Sequence, residues 1–123
     1  MTPADVQAFI GHPVAITEAS SAFTAGGVIS LPADALKALG GRVDRDRAQA
    51  LYVLLHERSH AVDQDAGNVY TCPGSEVKAN REAARAFVRS ASILYRSLTV
   101  AWRLWDALPA WWRDPVTVDC PTS

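Results

Sequence analysis

The chain has 123 residues, of which 49% are hydrophobic, and a formal net charge of −1. This length is enough for one hydrophobic core, so we expect a single domain over residues 1–123. The balanced charge gives no general attraction to nucleic acid, and no direct nucleic-acid binding is expected. The sequence has no recognisable secretory signal and no membrane span, because Arg96, Arg103 and Asp106 interrupt its most apolar stretch, which predicts a cytoplasmic protein.

The first third of the chain predicts short elements. Thr2 is placed to cap a short helix that runs to Ile10. Val14–Thr17 and Ala22–Leu31 carry β-branched and apolar residues, and the second range contains the turn signal Gly26-Gly27. We therefore expect a hairpin, or two to three short strands.

Helical patterns occupy most of the remaining chain. Ala33–Leu39 predicts a short helix, and Asp44 and Gly67 suit the start and the end of a helix over about 45–66. Ser75 suits the N-cap of one long helical segment running toward Pro109, and residues 109–123 are predicted to be a loose tail. The predicted fold class is α+β, with a hairpin or three-stranded sheet packed on the helices.

The helix at 45–66 contains the sequence His56-Glu57-Arg58-Ser59-His60, which is an H-E-x-x-H motif. Residues four apart lie on one face of an α-helix, so the imidazoles of His56 and His60 can bind one zinc ion. Glu57 lies about 100° further round the helix, where it can act on a metal-bound water without becoming a ligand. The motif therefore predicts a Zn²⁺ site with Glu57 as its catalytic residue.

The side of this helix opposite His56 is apolar, which predicts that it faces the core. Its residues are Leu51, Leu54, Leu55, Ala61 and Val62. Arg58 falls within the same arc, and an unpaired buried guanidinium is costly, so Arg58 should pair with a carboxylate or reach solvent at an edge. The candidate partners are Asp44, Asp65 and Asp106.

A catalytic zinc ion needs a third protein ligand. No histidine follows His60, which leaves Asp63, Asp65, Cys72, Glu76 and Glu82. On the next helical pattern Glu76 shares a face with small and apolar residues, whereas Glu82 borders a ridge of Lys and Arg. We predict Glu76 as the third ligand and Glu82 as a solvated ion-pair partner, with a favourable charge at the helix N-terminus as the alternative role of Glu76.

Three further residues are candidates around the metal. Asp63 lies on the histidine face and suits a second-shell partner of an imidazole. Asn80 shares the inner face with Glu76 and could orient Glu76 or a substrate carbonyl. Cys72 is an alternative ligand in a closed structural site, and Cys72 and Cys120 are expected to be either two reduced thiols or one disulfide bridge.

The two motifs together resemble a known family. The motif at 56–60, followed by Glu76-x-x-Ala79-Asn80, resembles the zincin metallopeptidases of the ImmA/IrrE type, over roughly residues 22–87. The segment Gly27–Leu31 is similar to the strand that borders the substrate cleft in such folds. The resemblance implies a zincin-like domain in which His56, His60 and Glu76 hold zinc and Glu57 is the general base. It also implies a regulator protein as substrate, often in a phage or mobile-element context.

The function predicted from these residues is zinc-dependent hydrolysis of peptide bonds in a protein substrate. Main-chain hydrogen bonds to an exposed strand edge near Val28–Leu31 are expected to hold the substrate. The alternative is a non-catalytic, metal-stabilised protein-binding module that uses the aromatic C-terminal segment. Its tryptophans, Trp102, Trp105, Trp111 and Trp112, are otherwise expected to serve burial.

Overall fold

The computed structural model describes residues 1–67 and 74–115. These residues form an α+β fold, as predicted, in which helices pack on a small mixed sheet. The elements are α1 (Pro3–Ile10), β1 (Val14–Thr17), β2 (Phe23–Ala25), β3 (Val28–Pro32), α2 (Ala33–Leu39), α3 (Asp44–Asp65), α4 (Gly74–Tyr95), α5 (Leu98–Ala107) and α6 (Ala110–Arg113). No helix among them is both long and apolar enough to cross a bilayer.

Local signals set the first elements. Thr2 caps α1 as predicted: its hydroxyl accepts a hydrogen bond from the Asp5 N–H, and the Asp5 carboxylate accepts one from the Thr2 N–H, which forms a capping box. Gly26 and Gly27 have φ values of 58° and 77°, the left-handed backbone that a two-residue type I′ turn requires. This turn joins β2 to β3 as the predicted hairpin.

The sheet has the order β1-β3-β2, so β3 is the central strand. It pairs in parallel with β1 and antiparallel with β2. The prediction that Val28–Leu31 offers a free edge is therefore wrong. The pattern of β-branched residues identified a strand, but strand order depends on which neighbours pair, and the edge strands are β1 and β2.

Helix α3 lies at the centre of the fold and contacts α2, α4, α5, β2 and β3. Most of its predicted apolar face is buried, including Leu51, Leu54, Leu55 and Ala61. Val62 is the exception, because 50% of it is exposed where α3 extends past its neighbours at the C-terminal end. The helix begins one residue earlier than expected: Val43 is its N-cap, and Asp44 is its first residue.

The predicted single helix from Ser75 toward Pro109 is two helices. Arg96 adopts a left-handed conformation (φ 52°), and Ser97 caps α5 by accepting a hydrogen bond from the Val100 N–H. The break changes the helical phase, so Leu98, which the continuous wheel placed on the inner face, is 60% exposed. Ala101 and Leu104 take the buried positions of α5 instead.

The predicted loose tail is wrong for its first residues. Residues 110–113 form α6, and the Trp112 ring packs on Tyr52 with 4.9 Å between ring centroids. The tail beyond residue 115, including Cys120, lies outside the described residues, as does Cys72.

Candidate metal centre

The side chains of His56, His60 and Glu76 converge at the contact between α3 and α4. The two Nε2 atoms lie 3.2 Å apart. Glu76 Oε2 is 2.8 Å from Nε2 of His56, and Glu76 Oε1 is 3.1 Å from Nε2 of His60. The predicted third ligand thus reaches both imidazoles across 16 to 20 residues of sequence.

Asn80 determines which nitrogen of His56 faces the centre. Its Oδ1 lies 2.7 Å from His56 Nδ1. An amide oxygen only accepts, so Nδ1 carries the proton and Nε2 of the neutral ring presents a lone pair to Glu76. Two acceptors 2.8 Å apart repel each other unless a proton or a metal cation lies between them. The contact therefore calls for a positive charge at this point.

These donors suit a zinc ion. Two imidazole nitrogens and one carboxylate are a common ligand set of catalytic zinc, and two nitrogens on one tetrahedral zinc ion are about 3.4 Å apart. The observed Nε2–Nε2 distance of 3.2 Å is close to that value. The other prediction, a closed site with Cys72 as a ligand, concerns a residue outside the described ranges.

Glu57 is near the same centre but in a different environment. Ligand atoms of His56, Glu57 and His60 all lie within 4.8 Å of one another. Glu57 is only 6% exposed. Burial raises the pKa of its carboxyl to about 7, with the nearby Glu76 charge adding to the shift and His56 and the Thr24 hydroxyl opposing it. By contrast, 61% of the Glu76 side chain is exposed. Glu76, which touches both imidazoles directly, is the better ligand, and Glu57 remains free beside them.

Asp63 and Glu82 have partners of their own. The Asp63 carboxylate accepts from Lys78 Nζ at 2.9 and 3.1 Å, a contact to α4 rather than to an imidazole. Glu82 accepts from the buried Ser59 hydroxyl at 2.8 Å, and its carboxylate is 4.0 Å from Lys78. Both carboxylates therefore join α3 to α4 on the side away from the centre.

Arg58 is half-buried at the edge of the apolar face of α3. Two of its three candidate partners contact other residues: Asp44 binds Arg47 and Arg103, and Asp65 lies 3.2 Å from His12. Within residues 1–67 and 74–115, no carboxylate lies within 4.0 Å of the Arg58 guanidinium. Its position is that of the second expected arrangement, in which the charged end reaches solvent.

Two residues that sequence reasoning missed attach the hairpin to α3. Gln64 Nε2 donates to the Thr24 carbonyl at 3.0 Å, and the Gly27 N–H donates to Gln64 Oε1 at 2.9 Å. Thr24 Oγ1 donates to the Glu57 carbonyl at 3.2 Å. The spacing of Gln64, four residues after His60, continues the histidine face and could have identified it. No local signal could have identified Thr24.

A cleft of about 940 Å³ opens over the centre. One wall is formed by β2 and the residues before it, and the floor by α3, α2 and the start of α4. Trp111 and Trp112 of α6 contribute the remaining wall. The centre is thus accessible from an open groove rather than enclosed in the core.

Tyr52 connects this wall to the centre. Its hydroxyl lies 2.9 Å from the Asn80 carbonyl and 2.7 Å from the Trp112 carbonyl, so α3, α4 and α6 meet at one side chain. Burial raises the pKa of Tyr52 to about 12, which keeps the hydroxyl protonated and able to donate. The C-terminal aromatic segment, whose place could not be predicted, is therefore part of the cleft.

No model of a known protein family, curated protein or solved structure matches this chain. The resemblance of its two motifs to the ImmA/IrrE-type zincins stays a prediction, and the functional argument rests on the geometry of the centre.

Proposed function

We propose that this protein is a zinc-dependent metallopeptidase with a small zincin-like domain. His56, His60 and Glu76 would hold the ion, and Glu57 would be the general base. The observation that carries the proposal is the convergence of both Nε2 atoms and the Glu76 carboxylate within 3.2 Å of one another, next to a free and buried carboxylate.

Bound zinc would supply a water of lowered pKa and would polarise the carbonyl of the scissile bond. Glu57 would then accept a proton from the attacking water and donate it to the leaving amine. Its backbone is positioned by Thr24, and its side chain lines the cleft beside both histidines. Asn80 would keep the imidazole of His56 in the tautomer that can bind metal.

The substrate would lie along β2 rather than β3. Thr24 faces Ile29 across the hairpin, one residue beyond the pair that closes the turn, so its N–H and carbonyl point away from β3. Gln64 already donates to that carbonyl, which leaves the Thr24 N–H for an extended peptide. The edge closest to the centre is thus the one that a substrate strand could extend.

A non-catalytic binding module is the second candidate. Phe23 of β2 and Trp111 of α6 are both exposed at the cleft, and exposed aromatic side chains are typical anchors for a bound protein. In that case the metal would stabilise the fold, and Glu57 would have no chemical role.

Metal analysis of the purified protein and two matched variants tests the ligand assignment. Wild type and Glu82→Gln should each retain about one zinc ion per chain, whereas Glu76→Gln should lose most of it because a ligand is removed. Both variants remove one carboxylate from α4, so they change the net charge equally. Equal zinc content in the two variants would refute the assignment of Glu76.

Glu57→Gln separates the two functions. It should keep its zinc and lose cleavage of a broad peptide mixture, analysed by mass spectrometry, because only the proton acceptor is removed. A wild type that binds zinc yet cleaves no more than Glu57→Gln would favour the binding module.

A further inference from the structure

The cleft is acidic although the whole chain is nearly neutral. Four of its lining residues carry carboxylates, namely Asp34, Asp46, Glu57 and Glu76. None of the twelve Lys and Arg residues of the chain lines it, and all twelve lie within the described ranges. A concave surface lined by one sign of charge concentrates ligands of the opposite sign.

The basic residues are concentrated elsewhere. Arg85, Arg89, Arg96 and Arg103 are exposed on α4 and α5, on the ridge that the sequence predicted. The net charge of −1 therefore results from a basic outer face and an acidic cleft. This separation makes the charge of the cleft a property of the site rather than of the whole protein.

The cleft is long enough for a peptide. It is lined along α3 from Asp46 to Gln64, which is about 27 Å at 1.5 Å per residue. An extended chain covers this length with about eight residues. Asp46 lies ten positions before His56, so it would face a substrate residue about four to five positions from the metal centre.

An exposed indole lies on the same side of the centre. Trp112 packs on Tyr52, one turn before His56 along α3, and the neighbouring Trp111 is 69% exposed and lines the cleft. The face of an indole is the strongest side-chain partner for an ammonium or guanidinium group. Alanines of α2 and α3, Ala35, Ala38 and Ala50, form a smooth floor that a long aliphatic side chain can follow.

We propose that this half of the cleft is a specificity site for Lys or Arg side chains of an extended peptide, recognised by Asp34, Asp46 and the face of Trp111. The proposal rests on the proposed function, which it deepens by naming cationic segments as the substrate class. Asp34 and Asp46 also lie in the first turns of α2 and α3, where a carboxylate stabilises the helix in any case. The test therefore has to separate peptide recognition from helix stabilisation.

The experiment measures binding of fluorescent eight-residue peptides by anisotropy, with the full-length zinc-loaded Glu57→Gln protein so that no peptide is cleaved. One peptide carries two Arg residues, and the other has Glu in their place. The Arg peptide should bind at least about tenfold more tightly at low salt, and the preference should shrink as salt screens the charges. Equal affinity for both peptides would overturn the proposal.

Matched variants locate the effect. Asp34→Asn and Asp46→Asn should each reduce the preference for the Arg peptide by about two- to fivefold. Asp106→Asn, which removes an exposed carboxylate outside the cleft, should not. Trp111→Ala should weaken binding of the Arg peptide about two- to fivefold, whereas Trp102→Ala, at an exposed tryptophan outside the cleft, should leave it unchanged.

Two further results distinguish the alternatives. If Asp34→Asn and Asp46→Asn lower the melting temperature but not the preference, the two carboxylates serve only their helices, and the specificity site is refuted. Cleavage of peptides by the wild type without preference for Lys or Arg would refute the specificity site and leave the proposed function intact. Selective binding of the Arg peptide without any cleavage would support the site and refute the peptidase.

Discussion

His56 is held from two sides by side chains of α4. Asn80 contacts its Nδ1, and Glu76 contacts its Nε2. The sequence placed Asn80 on the inner face of its helix but left its partner open between Glu76 and a substrate. The contact with His56 follows from the crossing of α3 and α4, which brings residues 24 positions apart within 2.7 Å.

At the residue scale, replacing Asn80 should weaken metal binding without removing a ligand. Asn80→Ala should raise the zinc dissociation constant about 10- to 100-fold, because the His56 ring loses the acceptor that fixes its tautomer. Asn80→Asp keeps an acceptor and should lose much less. Competition with a zinc chelator measures both, and an unchanged affinity in Asn80→Ala would show that the 2.7 Å contact has no role in metal binding.

Among the elements, α3 and α5 are joined through Asp44. Its carboxylate is 2.9 Å from Arg47 of the same helix and 2.6 Å from Arg103 of α5. The hydrogen bond from Arg47, followed by that from Arg103, holds the pKa of Asp44 below its ordinary value of 3.8. A carboxyl with a lowered pKa stabilises the folded state above its ordinary pKa, and this contribution is lost as the pH falls through the lowered value.

We therefore expect Asp44→Asn to lower the free energy of unfolding by about 1 kcal/mol at pH 7, as measured with urea. The difference from wild type should disappear in strong acid, where Asp44 itself is protonated. Asp46→Asn is the matched control, since Asp46 lies in the same first turn and its contact is a distant one, 3.8 Å to Arg45. A loss as large in Asp46→Asn would attribute the effect to the helix N-terminus instead of the contact between helices.

For the whole molecule, the candidate centre connects its two longest helices. His56 and His60 belong to α3 and Glu76 to α4, and residues between the helices lie partly outside the described ranges. An ion that binds this arrangement binds the folded state and not the unfolded chain, so metal binding should add directly to stability.

Zinc should accordingly raise the unfolding free energy by about 2.7 kcal/mol when free zinc exceeds its dissociation constant hundredfold, measured by thermal unfolding with and without chelator. Glu76→Gln should lose most of this gain, and Glu82→Gln should keep it. Magnesium, which prefers oxygen ligands, is the control ion and should have little effect. The prediction fails if zinc and chelator give the same melting temperature in the wild type.

The sequence by itself determined the features that depend on neighbours within about four residues. The capping box at Thr2, the glycine turn at 26–27 and the placement of both histidines on one helix face all follow from local geometry. The helical period also separated Glu76 from Glu82 correctly, because a wheel distinguishes the inner from the outer side of one helix. The same reasoning failed at Leu98, since Arg96 ends α4 without a glycine or proline to signal the break.

Only the tertiary structure decided how distant segments meet. It put β3 in the centre of the sheet and left β2 as the edge beside the metal centre. It also brought Thr24 to Glu57 and the carbonyl of Trp112 to Tyr52, contacts that join residues 33 and 60 positions apart. Such contacts depend on how helices cross and strands pair. Periodicity within one element carries no information about either, whereas the spacing of His56 and His60 within a single helix required nothing more than that helix.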